Sequence, residues 1–325
     1  MNFGRHQFIL LAAALAAVTL VTLSGHGASS QTTRTIKIIV PNPAGGVGDF
    51  LARLLVEQIS RTHGPAMVVE NRPGAGSVIG TEVVSHATPD GNTVLMTSTD
   101  LLAPHIQKSN YDPLISLEPI CYLVTLPEVI AVNSASPYAT LADLLNAARA
   151  KPGELTLAST GPETVLQLGF EMLKRAAKVD MTFVPYSGGA PVVNALLGEH
   201  VTSALLSYST LAEQLKAGKL HALATATRTR IAPLPDVPTV AEFGYANYEI
   251  DYWIGLFAPA KTPKETVSKL AGWFSDAVQA PEVKAKLAVQ GLYPAVMCGA
   301  DFAALVRKKY DEYRRFIREA NIKAE

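Results

Sequence analysis

Residues 38–50 read IIVPNPAGGVGDF: an apolar run that closes on two prolines, three glycines within four positions, and an acid. A chain that gives up side chains at Gly45, Gly46 and Gly48 needs positive φ there or lets another group approach its backbone. The run reads as a strand over 36–40, and the residues beyond the loop as a helix over 50–61. A glycine loop between strand and helix exposes unpaired N–H groups at the helix's positive end, which makes an anion site. A carboxylate or a phosphate is the guest it suits.

The same alternation continues outward, with a strand over 66–70, a helix over 80–86 and a strand over 93–97. Such βαβ units predict a mostly parallel sheet flanked by helices, with ligands at the carboxyl ends of the strands. A second set begins after a strand over 129–132. Thr140 caps a helix that ends at Ala150, with Gly153 beyond it. A strand over 155–158, a helix over 163–177, a strand over 181–184 and a short helix over 192–197 follow. Two similar sets predict an α/β chain of two lobes: residues 35–133 with 252–325, and residues 134–251. Further on, Thr262 and Glu265 read as a capping box with Pro263 in the first helical turn. Pro281 opens another helix and Gly291 ends it. Residues 302–322 form a long amphipathic helix packed through Phe302, Leu305, Val306, Tyr310 and Ile317.

Bulk properties remove several classes of function. Arg5 and His6 precede an apolar run over 8–23 and small residues over 24–30, the order of a secretory signal, so residues 1–29 are expected to be removed and the protein to be periplasmic. Lys plus Arg number 28, as do Asp plus Glu, so no field favours nucleic acid or an anionic membrane. Cys121 and Cys298 are the only thiols. An oxidising compartment permits a bridge, but a core of this size does not need one, and the balance favours two separate thiols. The histidines are scattered without metal-ligand spacing, so no metal and no cofactor is expected.

Nucleotide signatures fail as well. No Lys-Ser or Lys-Thr follows the glycines, and Leu51 stands where a dinucleotide loop needs its third glycine. Residues 73–80, PGAGSVIG, miss the same pattern by one position and lack an acid placed for a ribose. Asp49 limits how a guest can lie. Facing a ligand carboxylate at about 5 Å, it would cost about 3 kcal/mol, which cancels one charge-assisted hydrogen bond. It therefore caps its own helix or neighbouring amides, the favoured reading, or receives a ligand ammonium.

The second lobe repeats the device. Ser159, Thr160 and Gly161 follow a strand and precede Pro162; Ser187, Gly188, Gly189 and Ala190 precede Pro191 in the same way. Three small-residue loops can thus line one cleft between two lobes.

VPNPAGGVGD, VENRPGAGSVIG, ATPDGNTVLM, VPYSGGAP with LLGEHV, LPDVPTVAEFGY and W-x-G-L-x-A-P-x-x-T-P, in this order, resemble the Bug (TctC-like) extracytoplasmic solute-binding receptors of tripartite tricarboxylate transporters. The likeness spans the whole mature chain. It implies a two-lobed periplasmic binding protein of the type II-like Venus-flytrap fold, each lobe a mostly parallel sheet flanked by helices. It also implies no catalysis, a small carboxylate as ligand and the transporter's membrane subunits as partners; the receptor is expected to be a monomer that binds no nucleic acid. In that family the loop matching Asn42, Ala44, Gly45, Gly46, Val47, Gly48 and Asp49 holds a ligand carboxylate by backbone amides, partly through water. The loops matching Ser159–Gly161 and Ser187–Ala190 complete the cage. Departures bear on the ligand: an aromatic is usual where Asn42 stands and a hydroxyl near Val47 and Gly48. The acids usual around the LLGG-like turn are replaced by Ala195 and Thr202.

On this reading the ligand's acid docks on the first-lobe amides and the second lobe rotates about crossings near Val132 and Tyr252. Ser159, Thr160 and Ser187 then complete the hydrogen bonds, and Tyr186, Tyr208 and Trp253 either stack on the ligand or pack beneath it. Two rivals remain from other classes. A carboxylate-ester hydrolase lacks any G-x-S-x-G elbow, and a ligand-presenting sensory receptor of the same fold would share all of this physics.

Overall fold

The computed structural model describes residues 35–320 except 63, 103–108 and 162–163. The expected signal segment, Pro162, Glu163 and the last turn at Ile322 lie outside the described residues.

The first glycine loop sits where the sequence places it, between β1 (Ile36–Val40) and α1 (Val47–Arg61). Next come β2 (Met67–Asn71), α2 (Val78–Ser85) and β3 (Thr93–Ser98). β1 pairs in parallel with both β2 and β3. The carboxyl ends of three strands therefore share one edge, which carries the loops at 41–46, 72–77 and 99–102. The short α3 (Pro113–Ser116) leads into the long β4 (Leu117–Thr125), and β5 (Glu128–Asn133) follows after two residues.

β5 belongs to the second sheet. It runs antiparallel to β8 (Ser203–Ser207) and β9 (Leu220–Thr225). The chain thus passes from the first sheet to the second at 126–127. Between β5 and β9 lie α4 (Leu141–Ala150), β6 (Thr156–Thr160), α5 (Val165–Ala177), β7 (Thr182–Tyr186), α6 (Gly189–Leu197) and α7 (Tyr208–Lys216). β6 pairs in parallel with β7 and β8, so this sheet too gathers three carboxyl ends at one edge.

The chain returns to the first sheet with β10 (Trp253–Pro259), then α8 (Lys264–Gln279), α9 (Pro281–Val289), β11 (Tyr293–Cys298) and α10 (Ala300–Ala320). The strand orders are β11-β4-β10-β3-β1-β2 and β7-β6-β8-β5-β9. Both sheets are mixed. In each, most strands point one way and the parallel βαβ part is completed by antiparallel pairs. At the crossings, Leu126 N–H donates to Tyr252 C=O at 2.8 Å and Ile250 N–H to Ala226 C=O at 2.8 Å.

Two expectations fail for local reasons. Thr262 hydroxyl donates to Pro259 C=O at 2.7 Å and Glu265 pairs with Lys269, so α8 starts from Pro263 without the expected box. Cys121 and Cys298 are bonded rather than separate, because antiparallel β4 and β11 place them opposite one another, Cα to Cα 4.1 Å.

Two apolar clusters are local, one beneath α1, α8 and α9 and one beneath α6 and α7. The third is continuous across both sheets, from Ile39 and Leu95 through Trp253 and Phe302 to Phe170 and Leu205.

Candidate functional site

In the first loop, Gly45 adopts φ +81°, a region glycine enters freely. Its N–H donates to Asp49 Oδ2 at 2.9 Å, and Gly46 N–H to Pro43 C=O at 3.2 Å. The first rung of the α1 ladder is Phe50 N–H to Gly46 C=O at 2.9 Å. The amides of Val47 and Gly48 therefore lie outside that ladder, at the positive end of a 15-residue helix. A Cβ on Gly48 would stand 3.0 Å from Asn42 Oδ1, so the Asn42 side chain lies over this helix start. Ala44 and Gly45 are exposed.

Asp49 is almost fully buried and faces its own loop. Arg53 Nε donates to its Oδ1 at 2.9 Å, Arg53 Nη2 to Asn71 Oδ1 at 3.2 Å, and Asn71 Nδ2 to Asn42 C=O at 3.1 Å. This chain of bonds closes around the loop from both ends. The Arg53 guanidinium holds the Asp49 carboxyl below its usual range against the opposing effect of burial, and the Gly45 amide helps. Of the two roles open to Asp49, the structure displays the cap.

The second-lobe loops are used unequally. Ser159 is fully buried and its hydroxyl donates to Leu205 C=O at 2.7 Å, so it ties β6 to β8 instead of pointing at a guest. Gly161 N–H donates to Tyr186 C=O at 2.8 Å. Thr160 and Tyr186 are half-buried at adjacent strand ends. Ser187 is exposed just before α6, whose opening residues Gly189 and Ala190 offer amides that no earlier turn takes up, while Pro191 has none. Gly188 is half-buried, with nothing near the place of a Cβ. Tyr208 is buried at the start of α7. Trp253 is fully buried among Tyr122, Phe257 and Phe302, with ring centroids 5.3–6.1 Å away. Of the two roles open to Trp253, the structure displays packing.

Two features escape a linear reading. Ser207 Oγ lies 3.1 Å from Ser209 Oγ and 2.9 Å from Thr210 Oγ1, a hydroxyl cluster at the start of α7 whose only trace in the sequence is the S-Y-S-T run over 207–210. Asp100, just after β3, accepts Val165 N–H of α5 at 2.9 Å. The strand ends of the two lobes therefore meet. They meet again where Gly291 packs on Ser209: a Cβ on that glycine would stand 2.6 Å from Ser209 Cβ.

A cavity of about 690 Å³ lies elsewhere, lined by Arg228, Lys309, Glu249 and residues of α10. Arg228 and Lys309 pair with Glu249, and Lys308 and Lys309 with Glu312, so most of its bases already have acid partners. Among the described residues no group of three or more His, Cys, Asp or Glu side chains could hold a metal, and no helix is long and apolar enough to cross a membrane.

Two lobes joined by crossing strands, with helix starts gathered at their facing edges, define a solute-binding protein. The chain belongs to the TctC family, described as the tripartite tricarboxylate transporter family receptor, whose profile matches residues 51–322. It is 32% identical over 326 residues to a UPF0065 protein encoded in a tcbD-tcbE intergenic region of a Pseudomonas species, covering 99% of this chain and 96% of that one. Among solved structures it is similar to the periplasmic binding protein BugD, at 31% identity and a TM-score of 0.77, covering 90% and 99% of the two chains. An R. palustris protein solved with adipate gives 27% and 0.78, covering 91% and 100%. MatC from Rhodopseudomonas palustris with bound malate gives 28% and 0.75, covering 87% and 98%.

Proposed function

We propose that this protein is a periplasmic receptor that captures a small carboxylate and delivers it to the membrane subunits of a tripartite tricarboxylate-type transporter. One observation carries the reading: the N–H groups of Val47 and Gly48 stand outside the α1 ladder at the carboxyl end of β1, the same sheet edge that carries Asp100 and its bond to α5. Solved relatives that hold adipate and malate support the choice of ligand class. The ligand's acid accepts these amides, with Asn42, Ala44, Gly45 and Gly46 shaping the rim. Asp49 does not repel it, because Arg53 already offsets that charge.

Lobe 2 closes over the ligand with the Gly189 and Ala190 amides and the hydroxyls of Thr160 and Ser187. Tyr186 and Tyr208 bound the apolar part of the site. A few charge-assisted bonds of ~1.5–3 kcal/mol each, less the cost of immobilising the ligand, correspond to about micromolar affinity. The receptor acts as an exported monomer without its leader and without turnover.

A thermal-shift screen of monocarboxylates, dicarboxylates, tricarboxylates and amino acids tests this. Ligand at about a hundred times its dissociation constant adds ~2.7 kcal/mol of stability. A screen in which no acid raises the melting temperature would remove the carboxylate reading, and release of product from a carboxylate ester would remove the non-catalytic one.

A further inference from the structure

Lobe 2 presents a helix start to lobe 1, and a protein group already fills it. Val165, the first residue of α5, gives its N–H to Asp100 Oδ1, while Asp100 Oδ2 accepts the hydroxyls of Ser98 at 2.9 Å and Tyr252 at 2.7 Å. Burial raises the pKa of Asp100, and these three donors oppose that rise. Three donors at a helix N-terminus favour its charged form against that rise.

Glu128, on the strand that crosses into lobe 2, is 1% exposed, and its Oε2 has no hydrogen-bond partner among the described residues. Burial first, and the charge of Asp100 second, push its pKa well above the usual range. Of the two acids, Asp100 has the donors that suit a charge, whereas Oε2 of Glu128 has none.

We propose that Asp100 sets the specificity of the cleft: by seating a built-in carboxylate on α5, it admits ligands with a single carboxylate and a neutral or cationic far end. The inference rests on the receptor reading, with the ligand's own acid on α1. A second ligand carboxylate would find the α5 amide taken and a fixed negative charge beside it. A hydroxyl, amide or ammonium can instead donate to the remaining lone pairs of Asp100. This chain is thereby expected to differ from the relatives that hold adipate and malate.

The test is calorimetric titration of the wild type and of Asp100→Asn with matched series: alkanoates, alkanedioates and ω-amino acids of three to eight carbons, and benzoate beside terephthalate. The wild type is expected to bind the best single acid at least about tenfold more tightly than its diacid counterpart, the scale that repulsion between two carboxylates several ångströms apart produces. Asp100→Asn keeps an acceptor for Val165 N–H and should narrow that gap to within about threefold. A diacid that binds the wild type as tightly as its monoacid overturns the proposal without recourse to the variant. An unchanged gap in a folded Asp100→Asn does the same and leaves Asp100 as a structural tie only. In both cases an acid still binds, so the receptor reading survives; binding by no member of any series overturns both.

Discussion

Asp49 joins the two ends of the first loop: its Oδ2 accepts Gly45 N–H at 2.9 Å while its Oδ1 accepts Arg53 Nε at 2.9 Å. The acid that closes the glycine stretch is thus a brace for the backbone that would hold a ligand.

Asp49→Ala leaves the Gly45 amide and Arg53 without their acceptor and is expected to cost about 1–3 kcal/mol in urea unfolding at pH 7. Arg53 is more than half exposed, so its share of that loss is small. The folded carboxyl titrates below its ordinary value of 3.8. Its contribution is therefore fully present above that value and is lost as the pH falls below it. Equal gaps between wild type and variant at pH 7 and pH 3 would contradict this account.

Gly291 and Gly218 both have positive φ, +62° and +67°, but only the place of a Cβ on Gly291 is occupied, by Ser209 of the other lobe. Alanine at either position costs about 1 kcal/mol through backbone strain. Gly291→Ala should also hold the lobes apart and weaken the best ligand of the screen by about tenfold or more, while Gly218→Ala leaves affinity unchanged. Matching affinities in the two variants would mean that this contact does not form on closure.

Glu128→Gln tests the buried acid. Because the folded pKa is raised, the native state keeps a proton that the unfolded chain gives up above its ordinary 4.5, so the wild type loses stability as the pH rises beyond that value. Each unit of elevation corresponds to about 1.4 kcal/mol. The variant should match the wild type near pH 4.5 and exceed it by more than about 1 kcal/mol at pH 8, read from thermal unfolding at both pH values. A gap that does not grow with pH would place a charged, compensated Glu128 in the fold.

Local signals were legible and distant ones were not. The change from apolar run to glycines marks the β1–α1 junction, and Thr140 with Asp143 forms a capping box because both partners lie within one turn. Thr262 and Glu265 carry the same pattern, yet Pro259 and Lys269 take their side chains. The assignment of β5 to the second sheet depends on pairing with strands some 70 to 100 residues away, which periodicity does not report. Asp100 finds its partner 65 positions on, and nothing near T-S-T-D distinguishes it from an ordinary cap. Ser159 shows the converse: a hydroxyl after a strand looked available, and the neighbouring strand uses it.

The Cys121–Cys298 bridge closes a separation of 177 residues and fastens the edge strand β11 to β4. Reduction is expected to cost about 2–5 kcal/mol, seen as a lower urea midpoint with a thiol reductant than without. The paired change of both cysteines to serine should reproduce the shift and remove the response to reductant. An unchanged midpoint in reductant would show that β11 needs no staple.

Because one apolar cluster is shared by both sheets, from Ile39 and Leu95 to Phe170 and Leu205, the halves can part only a short way before their common interior is wetted. The empty receptor is thus expected to keep a nearly finished outline. Its solution scattering profile should change little when a guest arrives.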